Sequence, residues 1–490
     1  MPKRPATLSL VLPDRQAGRP AARWLCASLR GEILEGRLRP GARLPATRDL
    51  ARQYGLSRGT IVSAFEQLRS EGYVEASVGS GTYVSEVLPD DLLHVTRGHV
   101  RPPAARPSTR RRVSDFARRV TGFPGFTVRP TRAFRSDVPA LDLFPIMLWA
   151  QLASRRMRRA TTDLLLGCGP LGYRPLQDAV ADYLRTSRGV NCEAGQVAIV
   201  SGVQEALDLV ARVFLNPGDR VCVENPGYPG AALVFEASGA KIAPVPLDDE
   251  GMQIPGARSR GARLAYVTPA HQFPTGIGMS LRRRLELLEW ARMSGAMIFE
   301  DDYDSEYRYA GRPLPALQGL DHDSQVLFAG SFSKVLFPSL RLGYLVIPPD
   351  LVGYVAATGS VTRRHAPLLD QAILCDFIVE GHFGRHVRRM REVYAERLGV
   401  LLESARERLA GLLEISGVEA GLQTAGWLRD GLDGEAAAEA AARRDVDVIP
   451  LRGFHSGRPP REGLQLGFAA VDAPEIRRGV RELAAALEGG

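Results

Sequence analysis

Lys334 stands in the run Ser331-Phe332-Ser333-Lys334, seven residues before Arg341 and some thirty after Glu300-Asp301-Asp302-Tyr303-Asp304. A lysine amine can capture an aldehyde-bearing cofactor as an imine when the cofactor's ring nitrogen, ring oxygen and phosphate are each anchored separately. This stretch offers a residue for every anchor. Asp301 suits a protonated pyridine nitrogen, and Tyr303 suits the ring hydroxyl. Ser201-Gly202-Val203-Gln204 follows the apolar run Val197 to Val200 and opens a helical pattern, so its amides are set to meet an anion. Ser331, Ser333 and Arg341 complete a phosphate grip. The chemistry that fits the set is that of pyridoxal 5'-phosphate, with Lys334 as the Schiff-base residue.

Positioning these groups requires buried strands. Residues 296–299 and 326–329 are short apolar runs placed just before the acidic and lysine segments, as in parallel strands that carry chemistry at their carboxyl ends. The stretch from about 140 to 490 resembles the class I, fold-type-I aminotransferases, through these motifs, through Gly169-Pro170-Leu171-Gly172-Tyr173, and through Asn225-Pro226-Gly227-Tyr228-Pro229. The resemblance implies that Tyr228 stacks on the cofactor ring and that two copies of the chain form a homodimer around the sites. It also marks departures. Phe273, in His271-Gln272-Phe273-Pro274-Thr275, stands where the family has asparagine, which leaves the ring oxygen to Tyr303, with His271 or Gln272 as the candidate helper. Gln465, in Gly463-Leu464-Gln465-Leu466-Gly467-Phe468, stands where the family's substrate-carboxylate arginine is expected; Arg452, Arg458 and Arg461 are nearby substitutes. Cys168, where tyrosine is frequent, reads as a packing residue.

The amino-terminal end has another character. Leu25, Leu29 and Ile33 recur at helical spacing before Gly36, and Ile61, Ala64, Phe65 and Leu68 form a second stripe behind Ser57, a natural N-cap. Residues 20–85 resemble the winged helix-turn-helix of GntR-type regulators through Leu44-Pro45-Ala46-Thr47-Arg48, Leu56-Ser57-Arg58-Gly59-Thr60 and Gly79-Ser80-Gly81-Thr82-Tyr83. A helix beginning at Ser57 presents Arg58 and Thr60 to base edges, Arg48 suits backbone phosphate, and Gly79 and Gly81 suit the tip of a wing.

Charge agrees with a polyanion at one end. Residues 1–85 carry 13 basic against 7 acidic side chains and residues 86–135 carry 11 against 4, so within a net charge of +8 the remainder is acidic. The expected fold is α/β: a winged helix-turn-helix at 15–86, a Pro/Arg-rich extended linker at 87–135, and an aminotransferase-like body at 136–490 with a mixed central sheet, a large subdomain at about 160–360 and a smaller carboxyl-terminal α/β subdomain at about 365–490. The five scattered cysteines argue against a disulfide framework and for a reducing cytoplasm, no metal-ligand spacing is present, and no segment is apolar enough to span a bilayer.

Together the two resemblances identify the chain as a member of the MocR class of GntR regulators. That implies a homodimer that binds a double-stranded DNA operator and senses an amine, an amino acid or pyridoxal phosphate, without physiological turnover. An active aminotransferase with an accessory head, or with a protein-interaction head, remains the alternative.

Overall fold

The computed structural model describes residues 10, 12–13, 20–77, 81–88, 112–122, 130–256, 259–309, 315–415 and 417–489. Two compact units divide the chain, Met1–Arg111 and Arg112–Gly490.

In the first unit, α1 (Ala21–Leu34) buries Trp24, Leu25, Leu29 and Ile33 against Ile61, Ala64, Phe65 and Leu68 of α3 (Arg58–Ser70), so the two helical stripes form one core. Between them, α2 (Thr47–Tyr54) contributes Leu50 and stops at Gly55, whose φ of 64° is a left-handed turn that glycine adopts without penalty. Ser57 then caps α3, its Oγ accepting the Thr60 N–H at 3.1 Å. The strands β1 (Val74–Ser77) and β2 (Gly81–Val84) pair antiparallel from Val74↔Val84 to Ser77↔Gly81, which is the stem of a wing. Leu10, Leu12 and Leu88 belong to the same core, on both sides of the 15–86 span expected from sequence.

The second unit is built on an eight-stranded sheet ordered β3-β10-β9-β8-β7-β4-β5-β6. Its strands are β3 (Val197–Val200), β4 (Arg220–Asn225), β5 (Lys241–Asp248), β6 (Gly251–Met252), β7 (Ala262–Val267), β8 (Met297–Asp302), β9 (Val326–Ser331) and β10 (Gly343–Val346). Strands β5, β4, β7, β8 and β9 run parallel, and β10 lies antiparallel between β9 and β3. The central strands are near-continuous apolar runs because helices cover both faces. The short helix α4 (Ile146–Arg158) and the longer α5 (Arg174–Arg188) precede the sheet, and α6 (Val203–Phe214) follows β3. A four-stranded antiparallel sheet, β11 (Leu413–Ile415), β12 (Gln423–Leu428), β13 (Ile449–Pro450) and β14 (Gly463–Gly467) in the order β11-β12-β14-β13, makes the smaller layer.

The linker, expected to be extended and to tether without packing, is packed against the second unit at Arg119, Ala133 and Phe134. Ala133 and Phe134 are fully buried, the Gly467 N–H donates to Phe134 O at 2.9 Å, and Arg119 Nε donates to Ala237 O at 3.0 Å. Proline and arginine dominate its composition, but Phe134 supplies enough apolar surface to anchor the last residues on the small sheet. Residues 89–111 and 123–129 of that stretch lie outside the described residues.

Candidate functional site

The parallel strands deliver the sequence-selected residues to one edge. β3 leads into Ser201, β4 runs toward Tyr228, β8 carries Asp301 and leads to Tyr303, and β9 ends at Ser331 just before Lys334. Alternation along β8 sorts the acidic run by face. Glu300 accepts the Leu317 and Gln318 amides at 2.8 and 2.9 Å, and Asp302 pairs with buried Arg188 at 2.8 Å, so both are structural. Asp301 points the other way. Its Oδ2 accepts from the Tyr266 hydroxyl at 2.7 Å, while its Oδ1 is buried and makes no hydrogen bond. Burial pushes the Asp301 carboxyl up to about 7, against the lowering effects of the Tyr266 bond and of the Lys334 charge.

Lys334 is half-buried, with Nζ 2.9 Å from Asp137 Oδ1 and donating to Asp137 O at 3.2 Å. Asp137 also acts electrostatically on Tyr228 and Tyr303, so the lysine, both carboxylates and both phenols share one neighbourhood. The Tyr303 hydroxyl is 3.1 Å from His271 Nδ1, and that nitrogen lies 3.0 Å from Asp304. Tyr228 receives a 2.7 Å hydrogen bond from Gln204 Nε2, packs edge-on against Phe273 at 5.6 Å between ring centroids, and is pushed up to about 12 by burial.

An anion cradle adjoins them. Gly202, at φ 117°, is the N-cap of α6, and a Cβ there would come within 3.2 Å of Arg341 Nη2, so the guanidinium lies against the helix N-terminus. Val203 opens that helix, and the Ser201 N–H donates to the Glu205 carboxylate. Ser333 Oγ and Gln204 Oε1 are buried without a hydrogen bond, and Ser331 is half-buried at the end of β9. The orphaned Asp301 Oδ1 and Ser333 Oγ, the glycine-floored cradle and the flanking lysine fit the donor and acceptor set of pyridoxal phosphate.

The departures have distinct surroundings. Phe273 is buried among Tyr228, Tyr303 and Phe454 and offers the site no polar atom. Gln272 is turned away, its Nε2 donating to Pro226 O at 2.9 Å, which leaves His271 beside Tyr303. Arg461 pairs with Glu414 at 2.9 Å, Arg452 lies 3.6 Å from Glu462, and Arg458 is exposed, so Arg452 and Arg461, two of the three nearby substitutes for the family's residue, are engaged by carboxylates. Gln465 is fully buried with both amide atoms unpaired. Burial raises the half-buried Cys168 thiol, and all five cysteines are free.

Sequence reasoning missed Asp137, Tyr266 and Gln423. Asp137 sits at φ 66°, a conformation for which aspartate is one of the better-suited non-glycine residues, and nothing in its neighbourhood of sequence signals a lysine partner. Tyr266 had a signal: it is the one hydroxyl in the apolar strand Ala262–Val267.

In the first unit, Arg48, Ser57, Arg58 and Gly81 are exposed and Thr60 is half-buried, with Ser57 Oγ 2.8 Å from Thr60 Oγ1. Gly79 lies outside the described residues. Arg43, which the sequence reading passed over, folds its side chain onto Gly81, where a Cβ would meet its Nε at 2.9 Å. Among the described residues no cluster suits a metal ion, and no helix is long and apolar enough to cross a membrane.

A GntR-type winged helix-turn-helix joined to a fold-type-I aminotransferase-like body defines a class of transcriptional regulators. Residues 22–84 match the bacterial regulatory proteins of the gntR family, and residues 148–483 match aminotransferase class I and II. The chain belongs to the MocR class of GntR-family transcriptional regulators. It is 41% identical to a probable rhizopine catabolism regulatory protein, MocR, of Rhizobium meliloti, over 98% of this chain and 96% of that protein. It is also 32% identical to the transcriptional regulator TauR of Rhodobacter capsulatus, over 93% and 94% of the two chains. Among solved structures, the α-aminoadipate aminotransferase LysN of Thermus thermophilus, complexed with N-(5'-phosphopyridoxyl)-L-leucine, superposes with a TM-score of 0.66 at 30% identity, covering 73% of this chain and 92% of that one.

Proposed function

We propose that the body binds pyridoxal 5'-phosphate at Lys334 and senses a small amine, an amino acid or the cofactor itself, and that its occupancy controls operator binding by the head. When bound, pyridoxal phosphate supplies an aldehyde that exchanges between the lysine and a free amine, and a ring that withdraws electrons. Lys334 would hold the aldehyde carbon, Asp301 the ring nitrogen through its free Oδ1, and Tyr303 the ring hydroxyl. Tyr228 would cover the ring face. Ser201, Gly202, Val203, Gln204, Ser331, Ser333 and Arg341 would hold the phosphate. The observation that carries this reading is the pair of orphaned buried atoms, Asp301 Oδ1 and Ser333 Oγ, in the same neighbourhood as Lys334. Such atoms are costly unless a bound group pairs with them.

A free amine taking the place of Lys334 on the bound group would release the lysine tether and add ligand contacts. That difference is the source of coupling an allosteric switch needs, typically about 1–3 kcal/mol. Arg58 and Thr60 would read base edges, Arg48 would hold phosphate, and Ser57, Gly79 and Gly81 would shape the helix start and wing. A homodimer is supported by the exposed apolar side chains Ile146, Met147, Leu165 and Leu166, of which Leu166 is 80% exposed. The test is titration of the purified protein with pyridoxal phosphate and then with a panel of amines, following visible absorbance and operator binding together. A chromophore that forms without any amine-dependent change in operator affinity would leave a cofactor-binding protein that is not a sensor.

A further inference from the structure

The small sheet carries a second group of orphaned polar atoms, on the side reached from Lys334 through Asp137. Gln423 lies opposite Gly467 across β12 and β14, and Gln465 lies two residues from Gly467, so the two glutamines share one face of the sheet. A Cβ on Gly467 would meet Ser136 Cα at 2.7 Å, so Ser136 lies over that same face. Gln423 Oε1 accepts the Asp137 N–H at 3.1 Å, and Asp137 in turn holds Lys334. Gln465 is 0% exposed, Gln423 2% and Ser136 5%, yet both amide atoms of Gln465, the Nε2 of Gln423 and the Oγ of Ser136 make no hydrogen bond.

We infer that Gln465, Gln423 and Ser136 are the ligand-selecting wall of the Lys334 site, and that they select a primary amine bearing uncharged hydroxyl groups in place of an amino acid. This rests on the reading that the body captures an amine at Lys334. The wall offers donors (the two Nε2 groups), an acceptor (Gln465 Oε1) and a hydroxyl that serves as either. A ligand hydroxyl both donates and accepts, which satisfies such a mixed set. A carboxylate only accepts: it would use the Nε2 groups and leave Gln465 Oε1 unpaired, and it would lack the arginine fork that Gln465 replaces. Arg135, the residue before Ser136, has its Nη1 2.7 Å from Asp447, and Arg461, four residues before Gln465, is paired with Glu414. Asp137 adds a negative charge of its own beside Lys334.

The test uses the full chain saturated with pyridoxal phosphate and titrated with 2-amino-1,3-propanediol, L-serine and L-alanine, following the visible band and the melting temperature. The aminodiol should half-saturate the change at a concentration about tenfold or more below that of L-serine, the ratio expected for one or two satisfied hydrogen bonds. Gln465→Arg should invert that order. If Gln465→Arg fails to fold, Gln465→Leu should bring the aminodiol to the level of L-serine while the band of the bound cofactor persists. Equal or tighter response to L-serine in the parent protein overturns the inference, as does a Gln465→Arg or Gln465→Leu protein that keeps the parent's preference; the latter would make the wall a packing element only. A parent protein that never acquires the cofactor band overturns the underlying reading and this one with it.

Discussion

In the head, the residues proposed to meet DNA come from one short stretch of sequence, and Arg48, Ser57, Arg58 and Gly81 stand exposed; in the body, the residues set around Lys334 come from positions 137 to 465 and, the exposed Arg341 apart, are buried or half-buried. The head presents charge to a ligand that brings its own opposite charge, so its surface needs little preorganisation beyond a capped helix. The body must hold carboxylates, phenols and amides out of water at fixed separations, which only strand ends and packed helices achieve. Damage to the body should therefore be all-or-none at single atoms, and damage to the head should be graded and salt-dependent.

The largest expected effect is in the body. Lys334→Ala should abolish the visible band of covalently held pyridoxal phosphate completely, while operator affinity stays measurable. A band of parental strength in the variant would remove Lys334 from the site and with it the contrast between the regions. Asp301→Asn sharpens the same point with opposite signs for binding and stability. The Asp301 carboxyl is raised to about 7, so between about pH 4 and 7 the unfolded chain ionises it while the folded chain keeps the proton, and folding loses stability as pH rises through that window. The asparagine variant, prepared without cofactor, should melt higher than the parent at pH 8, by on the order of 1–4 kcal/mol in unfolding free energy, with the gain shrinking toward pH 4. It should also bind pyridoxal phosphate more weakly. A variant that melts lower than the parent at pH 8 would show the carboxylate to be stabilising.

This contrast explains what sequence could and could not reveal. The helical stripes of α1 and α3 and the Ser57 cap are local patterns, and they stand where their spacing places them. Lys334, Asp301 and Tyr303 were legible because each follows an apolar run at a strand's end. Asp137 was not, because its role depends on the 134–137 segment turning onto the small sheet, a contact between residues some three hundred positions apart. Gln465 was legible only as a departure from a resemblance. That its amide is orphaned, and that Gln423 and Ser136 share its face, follows from strand register, which a single sequence leaves open.

Graded behaviour should appear in the head. Arg58→Ala should cost about 1–3 kcal/mol on a matched operator and flatten discrimination among operator variants, as expected for a side chain that reads a base edge. Arg48→Ala should weaken all sequences alike and lower the slope of log affinity against log salt by about one. The two measurements break the comparison if they exchange places, because Arg48 would then read sequence and Arg58 would only grip phosphate.

The smallest effect is the most local. Ser57 Oγ accepts the Thr60 N–H at 3.1 Å and lies 2.8 Å from Thr60 Oγ1, so Ser57→Ala removes the side-chain cap of α3 and one partner of the hydroxyl proposed to meet DNA. The cap's loss should cost about 1 kcal/mol of head stability, seen as a lower melting transition of the head. Ser57→Asp keeps a capping oxygen but adds a negative charge at the face meant for DNA. It should therefore retain most of the parent's stability and bind operator less well than Ser57→Ala. The opposite ranking in operator binding would mean that the start of α3 does not face the polyanion, and that the head meets DNA through another surface.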